Sequence, residues 1–133
     1  MPRDGVTTGG AILLYEDDAL CAQTFANILC SAGHTVQITN HFLPALGALE
    51  AEQPIDVFLA DVVFPEGGVN GLALARMALV RRPWLKVIYV TGYDVPRLDS
   101  QASGPILRKP VSDEQLLACV DKALAAKHEF WWR

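Results

Sequence analysis

The chain has 133 residues, which suits one compact domain and leaves no room for a second of ordinary size. Hydrophobic residues make up 51% and charged residues 20%, so a buried core is expected and global disorder is excluded. The net charge is −4 and no cluster of Lys and Arg stands out, so a nucleic-acid surface is not expected. The apolar runs are short, so a membrane span is not expected either.

The start of the chain and its cysteines predict a cytoplasmic protein. Residues 1–10 are polar and hold no apolar segment, so they read as a flexible leader and not as a signal peptide. The three cysteines, Cys21, Cys30 and Cys119, have neither metal-ligand spacing nor the even number of a disulfide framework. A reducing compartment fits this cysteine usage best.

The first half of the chain alternates strand and helix patterns. Residues 11–15 form an apolar run typical of a buried strand, and an amphipathic helix follows and ends at Gly33. A second strand is predicted at 34–39, where apolar and polar residues alternate. A shorter helix then ends before Pro54.

The second half continues the alternation. Apolar runs predict three more strands, with a long helix between the first two and another after the last. Pro96 interrupts the stretch before the last strand, which leaves space for at most one or two turns of helix. Ser112, followed by two acidic residues, has the features of a helix N-cap. The strands are predicted at 55–60, 87–90 and 105–108, and a Pro- and Gly-rich loop at 65–71.

Strands that alternate with helices indicate parallel pairing through right-handed crossovers. Most of the apolar runs are nearly continuous, which is typical of a sheet covered by helices on both faces. In such a sheet, ligands bind beyond the carboxyl ends of the strands. The residues that follow each strand are therefore the candidates for function.

Chemically active side chains follow four of the predicted strands. The acidic residues 16–18 follow the first strand, Asp61 the third, Thr91 the fourth and Lys109 the fifth. Clustered carboxylates repel one another unless a cation joins them, and their oxygens are ligands that suit Mg²⁺. A carboxylate can accept a phosphoryl group, which Lys and Thr side chains can bind. The pattern favours a site for phosphoryl chemistry.

Four segments, ILLYEDD, VFLADVVFP, VIYVTGY and ILRKP, resemble in order the signature blocks of the response-regulator receiver domains of bacterial two-component systems. The resemblance covers residues 11–126. It implies a flavodoxin-like, doubly wound α/β fold with a five-stranded parallel sheet in the order 2-1-3-4-5, helices on both faces and a short or irregular fourth helix. The chain then divides into a leader at 1–10, a receiver domain at 11–127 and an aromatic tail at 128–133.

The resemblance also implies roles for individual residues. Asp61 is the implied phosphoacceptor, Thr91 and Lys109 the implied phosphoryl-binding residues, and the Lys109–Pro110 bond is implied to be cis. The phosphoryl donor would be a phosphohistidine of a sensor histidine kinase or a histidine phosphotransfer protein, and the output a contact with an unidentified downstream protein. The implied Mg²⁺ ligands are Glu16, Asp17, Asp61 and the backbone carbonyl of Val63.

The chain departs from the family pattern at the switch residue that usually transmits the phosphorylation signal. Receiver domains usually carry an aromatic switch residue three positions before the conserved lysine, and here that position is Ile106. The route of the output is therefore open. Two other functions also remain: a pseudo-receiver that binds partners without phosphorylation, and an Asp-nucleophile phosphatase. The haloacid-dehalogenase type of phosphatase has a second Asp two residues after the nucleophile, where this chain has Val63.

The chain ends in an aromatic tail with Phe130, Trp131 and Trp132. Three aromatic side chains carry a large apolar area. We expect them to pack back onto the domain, and a partner or homodimer surface is the alternative.

Overall fold

The computed structural model describes residues 9–63, 70–128 and 130–133. The predicted leader therefore lies outside the described residues except for its last two positions, as does most of the Pro- and Gly-rich loop. None of the described helices is both long enough and apolar enough to span a lipid bilayer. In chain order the elements are β1 (Ala11–Tyr15), α1 (Ala19–Ser31), β2 (Thr35–Thr39), α2 (Phe42–Glu50), β3 (Val57–Asp61), α3 (Gly71–Arg81), β4 (Lys86–Thr91), α4 (Leu98–Gln101), β5 (Ile106–Arg108) and α5 (Asp113–Ala125).

The five strands form one parallel sheet in the order β2-β1-β3-β4-β5, which confirms the predicted fold. The central strand β3 is buried along its whole length, as its continuous apolar sequence predicted. The edge strand β2 is mostly exposed, because it has a neighbour on one side only, and this accounts for its alternating polar residues.

The sheet separates two layers of core. Phe58 and Ala60 of β3 pack on the side of α2 and α3, whereas Val57 and Leu59 pack on the side of α1 and α5. Successive side chains of a strand point to opposite faces, so a fully apolar strand contributes to both layers. Each large apolar side chain buried in this way stabilises the fold by roughly 1.5–3 kcal/mol.

Polar side chains fix the starts of the long helices near the carboxyl edge of the sheet. Asp18 and Asn70 accept hydrogen bonds from backbone N–H groups in the first turns of α1 and α3. Ser112 and Gln115 form a reciprocal capping box at the start of α5. The predicted N-cap at Ser112 is confirmed, and Asp18 is the N-cap of α1. The predicted weak fourth helix is α4, which has four residues.

The aromatic tail packs against the domain mainly through one of its three rings, with a second ring partly buried beside it. Trp131 is 5% exposed and belongs to the core layer beside α1 and α5, while Phe130 is about half exposed at 49%. The Trp132 ring contacts both neighbouring rings, with centroids 6.2 Å apart in each pair. Glu129, within the tail, lies outside the described residues.

Candidate functional site

The candidate site lies at the carboxyl edge of the sheet. Asp61 and Thr91 are the last residues of β3 and β4. The sequence analysis expected them directly after these strands. Strand pairing aligns these ends, since Asp61 lies opposite Val90 and Thr91 lies opposite Arg108. A cavity of about 380 Å³ opens at this edge. Its lining residues are Glu16, Asp17, Asp18, Asp61, Val63, Gly92, Tyr93 and Lys109.

Three carboxylates from two strand ends meet in this cavity. One oxygen each of Glu16, Asp17 and Asp61 lie within 4.8 Å of one another. Glu16 is 1% exposed and Asp61 is 4% exposed, whereas Asp17 is half-buried. Crowded and partly dehydrated carboxylates attract a cation strongly, and oxygen donors of this kind suit a hard divalent ion.

Lys109 brings a positive charge from β5 into the cluster. Its Nζ donates to Glu16 Oε1 at 2.6 Å and lies 3.4 Å from Asp61 Oδ2. The shorter contact is a charge-assisted hydrogen bond between groups that are largely removed from water. One ammonium group does not balance three carboxylates, so the ionised cluster keeps a negative charge. The Lys109–Pro110 peptide bond is cis, as the resemblance implied.

The pKa values of the cluster reflect this crowding. Burial and contact with Glu16 together raise the pKa of Asp61 to about 7, because they outweigh the lowering by Lys109 and by the Val63 N–H. Burial also acts to raise the pKa of Glu16, but hydrogen bonds with Asp61 and Lys109 outweigh it, and that pKa is lowered. The pKa of Asp17 is raised by burial and by Glu16. Near neutral pH the Asp61 carboxyl is therefore partly protonated, and a divalent cation would displace that proton.

Backbone groups hold the Asp61 carboxylate and carbonyl in place. The Val63 N–H donates to Asp61 Oδ1 at 3.2 Å. Gly71, the first residue of α3, lies so close that a Cβ there would be 2.3 Å from the Asp61 carbonyl oxygen. Only glycine allows this approach, which brings the start of α3 beneath the site. The sequence analysis placed Gly71 only within a loop and missed this role.

The Thr91 side chain is fully buried, and the backbone of Tyr93 engages its hydroxyl. It donates to the Tyr93 carbonyl at 3.0 Å and accepts from the Tyr93 N–H at 3.1 Å. The structure therefore brings Glu16, Asp17, Asp61 and Lys109 into contact, with Val63 at the cavity wall. Thr91 lies at the same edge with its hydroxyl turned to the backbone of Tyr93.

A family model for the response regulator receiver domain matches residues 12–121 of this chain. The chain belongs to the response regulator receiver family. This receiver domain is 33% identical to CpdR, a response regulator receiver protein of Brucella abortus (strain 2308), over 86% of this chain and 97% of that protein. It is 29% identical to the DNA-binding transcriptional regulator NtrC of Escherichia coli (strain K12), over 90% of this chain and 26% of NtrC.

Solved structures show the same fold for relatives of this receiver domain. The crystal structure of a response regulator receiver protein from Sinorhizobium medicae WSM419 superimposes with a TM-score of 0.82 and 27% sequence identity. That match covers 90% of this chain and 98% of the other. Receiver domains are signalling modules of two-component systems and not enzymes in the usual sense, which is the class of function that the sequence predicted.

The receiver domain differs from the usual pattern at the first residue of β5. Ile106 is partly buried and packs on the core layer beside α2 and α3, opposite Tyr89 of β4. The Tyr89 hydroxyl accepts a hydrogen bond from the Ser103 N–H at 3.1 Å. Two positions further along β5, Arg108 donates to the Tyr93 carbonyl at 3.1 Å. The sequence analysis missed both contacts, because nothing in the sequence pairs these residues.

Proposed function

We propose that this receiver domain accepts a phosphoryl group on Asp61 and passes the signal on by changing its contacts with other proteins. The observation that carries the proposal is the meeting of a buried Asp61 carboxylate with Glu16, Asp17 and Lys109 at one edge of the sheet. A buried nucleophile surrounded by metal-binding carboxylates and a cation has the groups that phosphoryl transfer needs.

The transfer step forms one bond and breaks another. A carboxylate oxygen of Asp61 forms the new O–P bond, while the P–N bond of a phosphohistidine donor breaks. The imidazole nitrogen keeps the electron pair of that bond and takes a proton from water. Asp61 must be ionised to attack, and Lys109 at 3.4 Å favours its ionised form.

The donor set of the cavity fits Mg²⁺. Glu16, Asp17, Asp61 and the Val63 carbonyl would hold the ion, because they offer hard oxygen ligands and an excess of negative charge. The bound ion would offset the negative charge that develops on the transferring phosphoryl oxygens. The same charge would lower the pKa of Asp61 and keep its carboxylate ionised.

After transfer, two side chains would bind the new phosphoryl group. Lys109 would turn from the free carboxylate to a phosphoryl oxygen, since its three N–H donors sit on a flexible stem. The Thr91 hydroxyl would exchange its bonds to Tyr93 for a bond to another phosphoryl oxygen. The partners would be a sensor histidine kinase or a histidine phosphotransfer protein, and a downstream protein, all in the cytoplasm.

The proposal is tested by phosphorylation with a small acyl-phosphate donor. We expect the full chain, incubated with acetyl phosphate and Mg²⁺, to gain the mass of one HPO₃ group. The gain should disappear in Asp61→Asn and when the divalent ion is removed by a chelator. Intact-protein mass spectrometry measures both outcomes.

Asp18→Asn is the matched control for this experiment. It removes a carboxylate that lines the same cavity but keeps the helix cap, since Asn is as good an N-cap as Asp. We expect it to be phosphorylated like the unaltered chain. A mass gain that persists in Asp61→Asn would contradict the proposal. Hydrolysis of many donor molecules per protein would favour a phosphatase, and no mass gain under any condition would favour a pseudo-receiver.

A further inference from the structure

The turn after β4 engages the Thr91 hydroxyl. Both hydrogen bonds of this hydroxyl go to the backbone of Tyr93, one as donor and one as acceptor. The Tyr93 carbonyl thus accepts from Thr91 at 3.0 Å and also from Arg108 Nη1 at 3.1 Å. One backbone carbonyl is therefore held by a side chain from β4 and a side chain from β5.

Arg108 is placed to hold this turn from the neighbouring strand. It lies opposite Thr91 in the parallel register, directly before Lys109. Its Nη1 also lies 3.2 Å from Asp94 Oδ1, so one guanidinium binds two successive residues of the turn. The Arg108 side chain is 53% exposed, and an exposed ion pair contributes little to stability, so this contact is weak enough to be released.

The residue at position 106 cannot report the state of Thr91 through a polar group. Ile106 has neither a ring nor a hydroxyl, and it packs on the apolar core. The only polar contacts that the described residues give the Thr91 hydroxyl are those with Tyr93. Any movement of this hydroxyl must therefore first change the hydrogen bonds of the Tyr93 backbone. Tyr93 is 57% exposed.

We propose that Arg108 is a positioning residue that holds the Tyr93 turn in the arrangement that keeps the Thr91 hydroxyl away from the phosphoryl site. This inference rests on the proposed function. Capture of the Thr91 hydroxyl by a phosphoryl group removes two hydrogen bonds from Tyr93 and leaves Arg108 as the remaining tie. The turn then rearranges, and the exposed surface of Tyr93, Asp94 and Arg108 changes with it.

The coupling must work in both directions, because two linked equilibria shift each other by the same free energy. Weakening the Arg108 contact makes the resting arrangement less stable and leaves more molecules with a free Thr91 hydroxyl. A phosphoryl group, or an analogue of it, then binds with higher apparent affinity. The loss of one modest hydrogen bond and one exposed ion pair corresponds to an increase of about two- to fivefold.

The test compares Arg108→Gln with a matched control, Arg81→Gln, in the full chain. Arg81 also forms an exposed ion pair, with Glu50 at 3.9 Å, but on α3 and outside the site cavity. Beryllofluoride with Mg²⁺ serves as the phosphoryl analogue, and calorimetric titration gives its dissociation constant. Hydrogen exchange of the Tyr93 N–H, followed by NMR, reports the turn directly. Thermal unfolding checks that both variants are folded.

We expect beryllofluoride to bind Arg108→Gln about two- to fivefold more tightly than the unaltered chain and to bind Arg81→Gln unchanged. In the unaltered chain, binding should speed the exchange of the Tyr93 N–H, because its acceptor Thr91 Oγ1 turns away. Binding with unchanged Tyr93 exchange, or with equal or weaker affinity in Arg108→Gln, would overturn this inference and leave the proposed function standing. No binding to the unaltered chain would overturn both.

Discussion

Glu16 and Lys109 are 93 positions apart in the chain, yet they form the shortest ion pair of the site, at 2.6 Å. The contact leaves Glu16 with a lowered pKa and Asp61 with a raised one, although both carboxylates are buried. The difference arises first because the hydrogen bond between the two carboxyl groups lowers the pKa of Glu16 and raises that of Asp61. Lys109 adds to it, since it donates at short range to Glu16 and lies farther from Asp61. At the scale of single residues, the proposed nucleophile Asp61 is therefore the carboxylate that a cation would help to ionise.

The raised pKa of Asp61 predicts how the stability of the domain depends on pH. The folded state holds the Asp61 proton more tightly than the unfolded state does, so this contribution to stability is present at low pH and is lost as the pH rises through about 7. Asp61→Asn cannot ionise. Without divalent ions, we expect this variant to have a free energy of unfolding at pH 8 that is roughly 1–3 kcal/mol higher than that of the unaltered chain.

Urea unfolding in the presence of a chelator at pH 8 and at pH 4 measures this difference. We expect it to shrink toward pH 4, where Asp61 is protonated in the folded state of the unaltered chain. Asp18→Asn should show no comparable gain, since Asp18 is exposed. Equal stabilities of Asp61→Asn and the unaltered chain at pH 8 would show that burial and Glu16 do not destabilise the ionised Asp61 carboxylate.

At the scale of the elements, a buried arginine connects the end of α3 to the end of α2. Arg82 follows α3 and is 7% exposed. The last carbonyls of a helix have no partner within the helix, and here the Arg82 guanidinium supplies donors for several of them. Its acceptors are the carbonyl oxygens of Ala48 (3.5 Å), Leu49 (2.9 Å), Ala51 (2.5 Å) and Gln53 (2.8 Å).

We predict that Arg82→Met lowers the free energy of unfolding by about 2–4 kcal/mol, because buried carbonyl groups lose charged donors. The matched control is Arg81→Met, the neighbouring residue, whose side chain is 56% exposed and forms one long ion pair. We expect that change to stay within about 0.5 kcal/mol. Chemical denaturation of the two variants measures both values, and similar losses would refute the capping role of Arg82.

At the scale of the whole molecule, the aromatic tail closes the core layer beside α1 and α5. Trp131 is nearly as buried as the core residues on which it packs. Within the tail, the Arg133 guanidinium makes cation–π contacts with two rings. It lies 4.6 Å from the Phe130 ring centroid and 5.5 Å from that of Trp132. The predicted packing of the tail onto the domain is thus carried mainly by one ring.

We predict that Trp131→Ala lowers the free energy of unfolding by about 3–5 kcal/mol, the usual cost of removing a large buried aromatic side chain. Trp132→Ala should have a smaller effect, because that ring is only half-buried. Thermal and urea unfolding of both variants test the order. If Trp132→Ala were the more damaging change, the assignment of Trp131 as the anchor of the tail would be wrong.

Much of this molecule was predictable from its sequence. The alternation of apolar runs and helical patterns indicated a parallel sheet covered on both faces, and the residues at the strand ends indicated where a site would form. These features depend on local patterns: side-chain period distinguishes strand from helix, and a polar residue that ends an apolar run is visible without coordinates. The sheet order came from the resemblance of four short segments to a known family.

The tertiary structure alone decided which groups touch. It paired Lys109 more closely with Glu16 than with Asp61, turned the Thr91 hydroxyl toward Tyr93, brought Gly71 against the Asp61 carbonyl and buried Trp131. Each of these contacts depends on how side chains fill the space between neighbouring elements of the fold. Sequence patterns specify the face on which a residue lies, but packing determines the atom that it meets.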